Sequence, residues 1–174
     1  IPKFDVVCFG CNEVYPGGIF DKTPNHKEDY IDHLNWLIKL ANDYPLLKIG
    51  FKHHANNQNN FEKDFLKNSK VKIINQKFNS YSVGNKSKVI CSFQSTMVIE
   101  FLSLKKIAFF IDPRKRNNQF LGDIGTNSKI RLTNYNKFKN TIDKIFYKKN
   151  YKKFNNKDYC LKSSNYSKKL FAVL

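Results

Sequence analysis

The chain has 174 residues, a formal net charge of +17 and 41% hydrophobic residues. This length predicts one domain that buries a sizeable core. No apolar run approaches the roughly 20 residues that a membrane-spanning helix needs, and no signal-peptide pattern is present. Because the sequence opens on Ile1 rather than Met, we expect it to be a piece of a longer protein.

The excess positive charge has two open interpretations. It attracts an anionic partner, such as nucleic acid, phospholipid or a phosphorylated substrate. An abundance of Lys, Asn, Ile, Phe and Tyr is also typical of a protein encoded by an AT-rich genome. Proteins that read DNA grooves rely on Arg for base contacts, and the only arginines are Arg114, Arg116 and Arg131. Nucleic acid is therefore the less favoured partner.

The cysteines predict neither a metal site nor a disulfide framework. Cys8 and Cys11 form a CxxC pair without a second pair elsewhere in the chain. Cys8 and Cys91 lie in apolar runs and are interpreted as small buried residues. A reducing, cytoplasmic compartment is the simpler expectation.

Apolar runs alternate with helical periodicities along the chain. We predict strands at 4–9, 46–52, 71–75, 88–91, 106–111 and 129–132. We predict helices at 28–44, 60–66, 96–104 and 135–147, and a helical turn at 81–85. The alternation predicts an α/β fold, a Rossmann-like doubly wound parallel sheet of about five or six strands with helices on both faces.

Two segments outside this pattern are distinctive. The loop at 10–27 contains Gly17 and Gly18, which let backbone approach a phosphate or simply form a turn. We assign 1–147 to the α/β domain and 148–174 to a basic Lys/aromatic tail. Three interpretations of this tail stay open: a solvated extension, a terminal helix that packs back, or a segment that lies on an anionic membrane.

Polar residues follow two of the predicted strands. Lys52, His53 and His54 end the second strand, and Ser95 and Thr96 follow the strand at 88–91. Ligands of open α/β sheets bind at such strand ends, and the start of a helix favours a phosphate.

Glu100 adds a carboxylate to the second of these strand ends. It follows Thr96 by one helical turn, so the two share a helical face. We therefore expect them to hold a nucleotide's phosphate and ribose.

Two short motifs, in this order and placement, resemble motifs in the C-terminal, donor-binding domain of GT-B glycosyltransferases. They are Lys52-His53-His54-Ala55 and Ser95-Thr96-x-x-x-Glu100. The most similar groups are capsule and lipopolysaccharide sugar transferases, polysialyltransferases and CDP-glycerol glycerophosphotransferases. The resemblance covers about residues 5–146 and implies one half of a GT-B fold. Ala55 stands where the family usually has Pro, and Lys105 and Ile107 replace a frequent Gly and Pro.

The resemblance implies roles for individual residues. His54 and Glu100 would be catalytic: His54 would donate to the donor's phosphate, and Glu100 would accept from ribose or sugar hydroxyls. Ser95 and Thr96 would bind phosphate. His53 competes with His54, and the further candidates for phosphate binding are Lys52, Gly17, Gly18 and Arg114. Arg114 is otherwise interpreted as part of a solvated loop, and Glu100 as a surface carboxylate paired with Lys105.

The resemblance also implies partners. The substrate would be a nucleotide-activated sugar with CMP/CDP or UDP favoured, the acceptor a glycan or lipid-linked glycan, and no cofactor or metal would be bound permanently. The domain would work in the cytoplasm, peripherally on the inner face of the plasma membrane. In this family an N-terminal domain supplies the acceptor site and usually the general base, so the fragment is expected to bind donor without turnover.

Two other functions stay open. One is a non-enzymatic basic α/β module that binds nucleic acid or anionic membrane. The other is an enzyme like UDP-N-acetylglucosamine 2-epimerase, which should have carboxylates around the histidine turn, where the sequence shows none nearby. A response-regulator-like domain is excluded because no cluster of acids follows the first strand.

Overall fold

The computed structural model describes residues 1–11, 26–55, 60–115 and 129–151. In these ranges the strands are β1 Val6–Phe9, β2 Ile49–Lys52, β3 Lys72–Ile73, β4 Val89–Ser92, β5 Ile107–Ile111 and β6 Arg131–Leu132. The helices are α1 His26–Asp43, α2 Phe61–Leu66, α3 Ser80–Lys86, α4 Met97–Ser103 and α5 Tyr135–Phe146. None of the helices in these ranges is long and apolar enough to cross a membrane.

The six strands form one sheet in the order β3-β2-β1-β4-β5-β6, and every pair is parallel. The chain builds outward from β1 to β3 and then returns to start β4 on the other side of β1. This is the doubly wound order of Rossmann-like folds. The predicted fold class is confirmed.

The sheet is buried on both faces, as all-parallel sheets require. Val6 and Cys8 of β1 belong to a core cluster shared with α1, α2 and α5. Val7 and Phe9 point to the opposite side, into a cluster shared with α3 and α4. The four residues of β1 are therefore all buried, which explains why this strand is a continuous apolar run instead of an alternating one.

One predicted element is longer than expected. The segment predicted as a helical turn at 81–85 is a helix, Ser80–Lys86, whose Asn79 N-cap accepts hydrogen bonds from the amides of Tyr81 and Ser82. The parallel strands β3 and β4 lie on opposite sides of β2 and β1, so a crossover has to join them. Asn, Ser and Gly dominate this stretch, and they hide its helical pattern.

Most other differences concern element ends. The first three strands begin later than predicted, and β3 has only two residues. Helix α4 begins at Met97, so Thr96 is its N-cap residue rather than its first helical residue.

Candidate functional site at the carboxyl edge of the sheet

The carboxyl edge is the edge of the sheet where the strands end, and its centre lies between β1 and β4. Phe9 of β1 is in register with Ser92 of β4, and Ser92 Oγ donates to the Phe9 carbonyl at 2.8 Å. On the other side of β1, the Gly10 amide donates to the Lys52 carbonyl at 2.8 Å. The connections diverge here, so the ends of β1 and β4 form the switch point at which such sheets bind ligands.

The histidine turn after β2 lies on one side of this point. Lys52 is buried, with 3% of its surface exposed, and its Nζ donates to Gln76 Oε1 at 2.8 Å. Gln76 Nε2 donates in turn to the His53 carbonyl at 3.2 Å. Burial lowers the pKa of the Lys52 ammonium, because desolvation disfavours its charged form. The hydrogen bond to Gln76 directs the ammonium toward the end of β3.

A carboxylate lies directly beside this turn, contrary to the sequence-based expectation. Glu62 on α2 is buried, and its two oxygens have separate partners. Tyr30 Oη donates to Oε1, and His53 Nδ1 lies within hydrogen-bond distance of Oε2. One signal in the sequence pointed to it: Glu62 precedes the buried Leu66 by four residues, so it lies on the inward face of a short helix.

Gly10 is the point where the backbone of β1 passes closest to this carboxylate. A Cβ atom at Gly10 would lie 2.7 Å from Glu62 Oε1 and 3.2 Å from the His54 amide nitrogen. A side chain there would displace Glu62 or the histidine turn. The absence of a side chain at Gly10 is therefore what allows β1, β2 and α2 to meet.

His54 is half-buried beside this cluster. Burial lowers its pKa, while the nearby Glu62 charge acts in the opposite direction and is the smaller effect. The imidazole is therefore neutral at neutral pH, with one nitrogen as donor and the other as acceptor. Such a ring donates one hydrogen bond to an oxyanion without bringing a full charge.

Ser95 and Thr96 lie on the other side of β1. Ser95 is half-buried, and its Oγ accepts from the Met97 amide at 3.3 Å. Thr96 is exposed, and its side chain makes no capping hydrogen bond. Ser95 thus orients the start of α4, while Thr96 is exposed.

Glu100 is held from the neighbouring helix instead of by Lys105. Tyr81 Oη on α3 donates to Glu100 Oε2. This hydrogen bond is the main reason that the pKa of Tyr81 rises to about 12. Glu100 therefore lies with α3 and α4, whereas Glu62 and His53 lie with α1 and α2.

Arg114 follows β5 and is engaged by helix α1. Its Nη1 lies 2.9 Å from Glu28 Oε2, and its Nε lies 2.5 Å from Asp32 Oδ2 and 3.7 Å from Asp29 Oδ1. The hydrogen bond to Asp32 is the main reason that the pKa of Arg114 rises. A phosphate at Arg114 would have to compete with these carboxylates. Gly17 and Gly18 lie outside the described residues.

The core carries two polar contacts that sequence reasoning missed. His33 is buried, with Nε2 3.2 Å from Cys8 Sγ and Nδ1 3.3 Å from the Ile111 carbonyl oxygen. Desolvation lowers its pKa to about 3, so it is a neutral packing residue.

Arg131 on β6 forms a buried ion pair with Asp112 after β5, through both Nε and Nη2. No group of three or more His, Cys, Asp or Glu in the described ranges could hold a metal ion.

Together, the sheet order and the polar groups at its switch point define a Rossmann-like α/β domain with a candidate ligand site at the carboxyl edge. Comparisons of the chain with protein-family models, with curated proteins and with solved structures found no match. One fold of this kind hosts many chemistries, so function rests on the site itself.

Proposed function

We propose that this chain is the donor-binding domain of a GT-B glycosyltransferase that takes a nucleotide-activated sugar, or polyol phosphate, for bacterial surface polysaccharide synthesis. The observation that carries the proposal is the placement of its two motifs. His54 after β2 and Ser95 after β4 flank the end of β1, where the direction of winding reverses. Motifs separated by some 40 positions in the sequence lie on either side of one strand end.

The chemistry of the groups fits a nucleotide phosphate. When the sugar leaves the donor, negative charge grows on this phosphate and requires donors that are already in place. The neutral imidazole of His54 and the hydroxyl of Ser95, which the Met97 amide holds in place, are such donors. The exposed Thr96 hydroxyl is a further one. Glu100, fixed by Tyr81, is an acceptor for ribose or sugar hydroxyls.

The proposal assigns the acceptor, a glycan or lipid-linked glycan, to a further domain of the protein. It places the enzyme in the cytoplasm, on the inner face of the plasma membrane. Donor binding by this chain, and not turnover, is therefore the activity to measure.

Calorimetric titration with CMP, CDP, UDP and GDP tests the proposal, in about 150 mM salt so that weak surface electrostatics are screened. We expect saturable binding that prefers one base and weakens at least tenfold in His54→Ala and in Glu100→Ala. Lys137→Ala on α5 is the control and should keep the wild-type affinity. Equal binding of all four nucleotides and of a short oligonucleotide, insensitive to both site changes, contradicts the proposal.

A second candidate is favoured by Glu62. An enzyme like UDP-N-acetylglucosamine 2-epimerase is expected to have carboxylates around the histidine turn, and Glu62 lies against His53 there. Incubation with UDP-N-acetylglucosamine, followed by proton NMR of the anomeric region, separates the two candidates. A new epimer that disappears in Glu62→Gln favours the epimerase. Nucleotide binding with an unchanged sugar favours the transferase domain.

A further inference from the structure

The amino edge of the sheet, where the strands begin, lies opposite the candidate nucleotide site and has a different surface. Helices that return from the carboxyl edge also end here, because crossovers between parallel strands run back along the sheet. The residues that precede strands and follow helices therefore share this edge, although they are far apart in sequence.

Exposed lysines are concentrated at this amino edge. Lys48, Lys88 and Lys105 precede β2, β4 and β5. Lys86 ends α3, and Lys148 and Lys149 follow α5. We call these six residues the basic edge. At Lys105 and Lys149 the backbone has positive φ, 58° and 51°, a conformation that Gly or Asn adopts more easily than Lys.

Three carboxylates near the basic edge offset part of its charge, but they are fewer than its six lysines. Asp5 Oδ2 accepts from the Lys48 amide at 2.9 Å, and Asp143 accepts from Tyr44 Oη at 2.6 Å. Asp43 accepts from Tyr135 Oη at 3.0 Å and pairs with Lys139 at 3.1 Å. Each of these acids is thus bound to a group of the protein.

More of the described acids lie at the carboxyl edge, where Arg114, Arg131 and His53 partner them. These acids are Glu28, Asp29 and Asp32 at the start of α1, Glu62 on α2, and Asp112 after β5. A lysine-rich composition alone would place lysines at both edges alike. Helix dipoles account for part of this separation, because helix N-termini favour acids and helix C-termini favour lysines. Lys48 lies outside any last helical turn, so the dipoles do not account for its position.

Large apolar side chains are exposed at the same edge as the lysines. Leu46 before β2 is 87% exposed, Leu104 before β5 is 52% exposed, and Tyr147 after α5 is 53% exposed. Ile1, ahead of β1, is 55% exposed. Among the described residues, Tyr81 is the one other large apolar side chain in this class, and it lies at the start of α3.

We propose that the basic edge docks on an anionic lipid bilayer, with Leu46 and Leu104 entering the interface between headgroups and acyl chains. Lysines near a negatively charged leaflet bind it electrostatically. Apolar side chains among them add burial that nucleic acid phosphates do not offer. In this orientation the carboxyl edge faces away from the membrane, and the nucleotide site stays open to soluble ligands. The basic edge includes Lys148 and Lys149, the first residues assigned to the tail, and none of the residues 152–174.

Vesicle co-sedimentation of the full chain tests this docking, without any nucleotide. Vesicles of phosphatidylcholine alone are compared with vesicles that contain about 30% phosphatidylglycerol, in about 150 mM salt. We expect binding to the anionic vesicles and weak binding to the neutral ones. The same affinity for both vesicle types, or no binding to either, overturns the proposal.

Two triple variants with the same charge change show which edge is responsible. The basic-edge variant is Lys48→Gln, Lys86→Gln and Lys105→Asn. The carboxyl-edge control is Lys27→Gln, Lys77→Gln and Lys115→Asn, and Lys115, like Lys105, has positive φ, at 60°. About a fivefold loss per lysine is ordinary for charges at a membrane, so we expect at least a tenfold loss in the first variant and a small loss in the control. Equal losses in the two variants overturn the proposal.

A double variant, Leu46→Ser with Leu104→Ser, tests the apolar contribution at constant charge. We expect weaker binding to anionic vesicles and unchanged binding of a single-stranded oligonucleotide. Vesicle binding that is unaffected by the loss of both leucines contradicts the proposed insertion. Thermal unfolding of every variant confirms that each is folded at the temperature of the assay.

Discussion

The carboxylate of Glu62 on α2 pairs with the imidazole of His53 after β2, and its second oxygen accepts from Tyr30 Oη on α1. An ionised carboxylate only accepts hydrogen bonds. Where Glu62 is ionised, the contact requires a proton on His53 Nδ1, and in either state it fixes the orientation of the ring. A single buried acid thereby joins two helices to the histidine turn at the carboxyl edge.

We expect Glu62→Gln to lower the free energy of unfolding by about 1–3 kcal/mol, because a buried polar partner loses its matching group. The amide would also offer a donor to His53 Nδ1, so the preferred tautomer should change. Urea denaturation measures the first effect, and the ring-nitrogen chemical shifts of His53 measure the second.

Asp64→Asn on the same helix is the matched control for Glu62→Gln, since Asp64 is exposed and the charge change is the same. It should leave both the stability and the His53 shifts unchanged. Equal effects of the two substitutions would show that Glu62 has no special role in the histidine turn.

Stability should fall as the pH drops from about 6.5 toward 3, in part because of His33. The folded protein holds the pKa of His33 at about 3, against 6.5 for an exposed histidine. Between these pH values His33 is protonated in the unfolded chain but not in the folded protein. Lowering the pH therefore favours unfolding. Above pH 6.5 neither state binds this proton, so the full stability is present. Below pH 6.5 stability is lost at about 1.4 kcal/mol per pH unit, until the folded protein is protonated near pH 3.

Urea denaturation at several pH values, compared between wild type and His33→Gln, measures this contribution. The variant should be less stable at pH 7 but lose less stability on acidification. Parallel pH profiles for the two proteins would contradict the buried, neutral state of His33.

Gly84→Ala should destabilise the packing of α3 on α4. A Cβ atom at Gly84 would lie 2.0 Å from Cζ of Phe101, which is fully buried. Overpacking of this kind costs about 1–3 kcal/mol. Asn85→Ala, at the next and exposed position, should change stability by less than about 0.5 kcal/mol. A Gly84→Ala variant that is as stable as the Asn85→Ala variant would contradict the close approach of Phe101.

Arg114→Gln tests whether this arginine joins α1 to β5 or clamps a phosphate. Since its guanidinium contacts Glu28, Asp29 and Asp32, we expect a lower thermal midpoint than in Lys115→Gln, and a smaller difference in high salt. Nucleotide affinity, measured well below the midpoint, should stay close to wild type. Unchanged stability combined with lost affinity would instead assign Arg114 to the phosphate.

The sequence predicted the parts of the fold in which each residue acts locally. The continuous apolar runs Val6–Phe9 and Ile107–Ile111 signalled buried parallel strands, and the spacing of Tyr30, Leu34 and Leu37 signalled the inner face of α1. Polar residues at strand ends indicated which edge to inspect. The polar residues at strand ends are a local signal, because the residues that follow a strand in sequence also lie at its carboxyl end in the sheet.

The remaining features depend on tertiary contacts that no local pattern carries. Glu62 stands nine residues after His53, and only the packing of α2 brings the two together. Glu100 contacts Tyr81 because α3, which the sequence predicted only as a helical turn, packs beside α4. Arg114 was interpreted as a solvated loop or a phosphate clamp, since its partners on α1 lie more than 80 residues earlier.

The location of nucleotide binding is the central claim, and amide chemical-shift mapping tests it most directly. A ¹⁵N-labelled chain is titrated with CDP and UDP, and every amide is followed. We predict that the largest shifts occur at Gly10, His54 and Ser95, which surround the end of β1, and that the amides of Lys48 and Lys88 at the basic edge stay unchanged. Shifts that instead cluster at the basic edge, or that spread evenly over the lysines, would contradict a nucleotide site at the carboxyl edge.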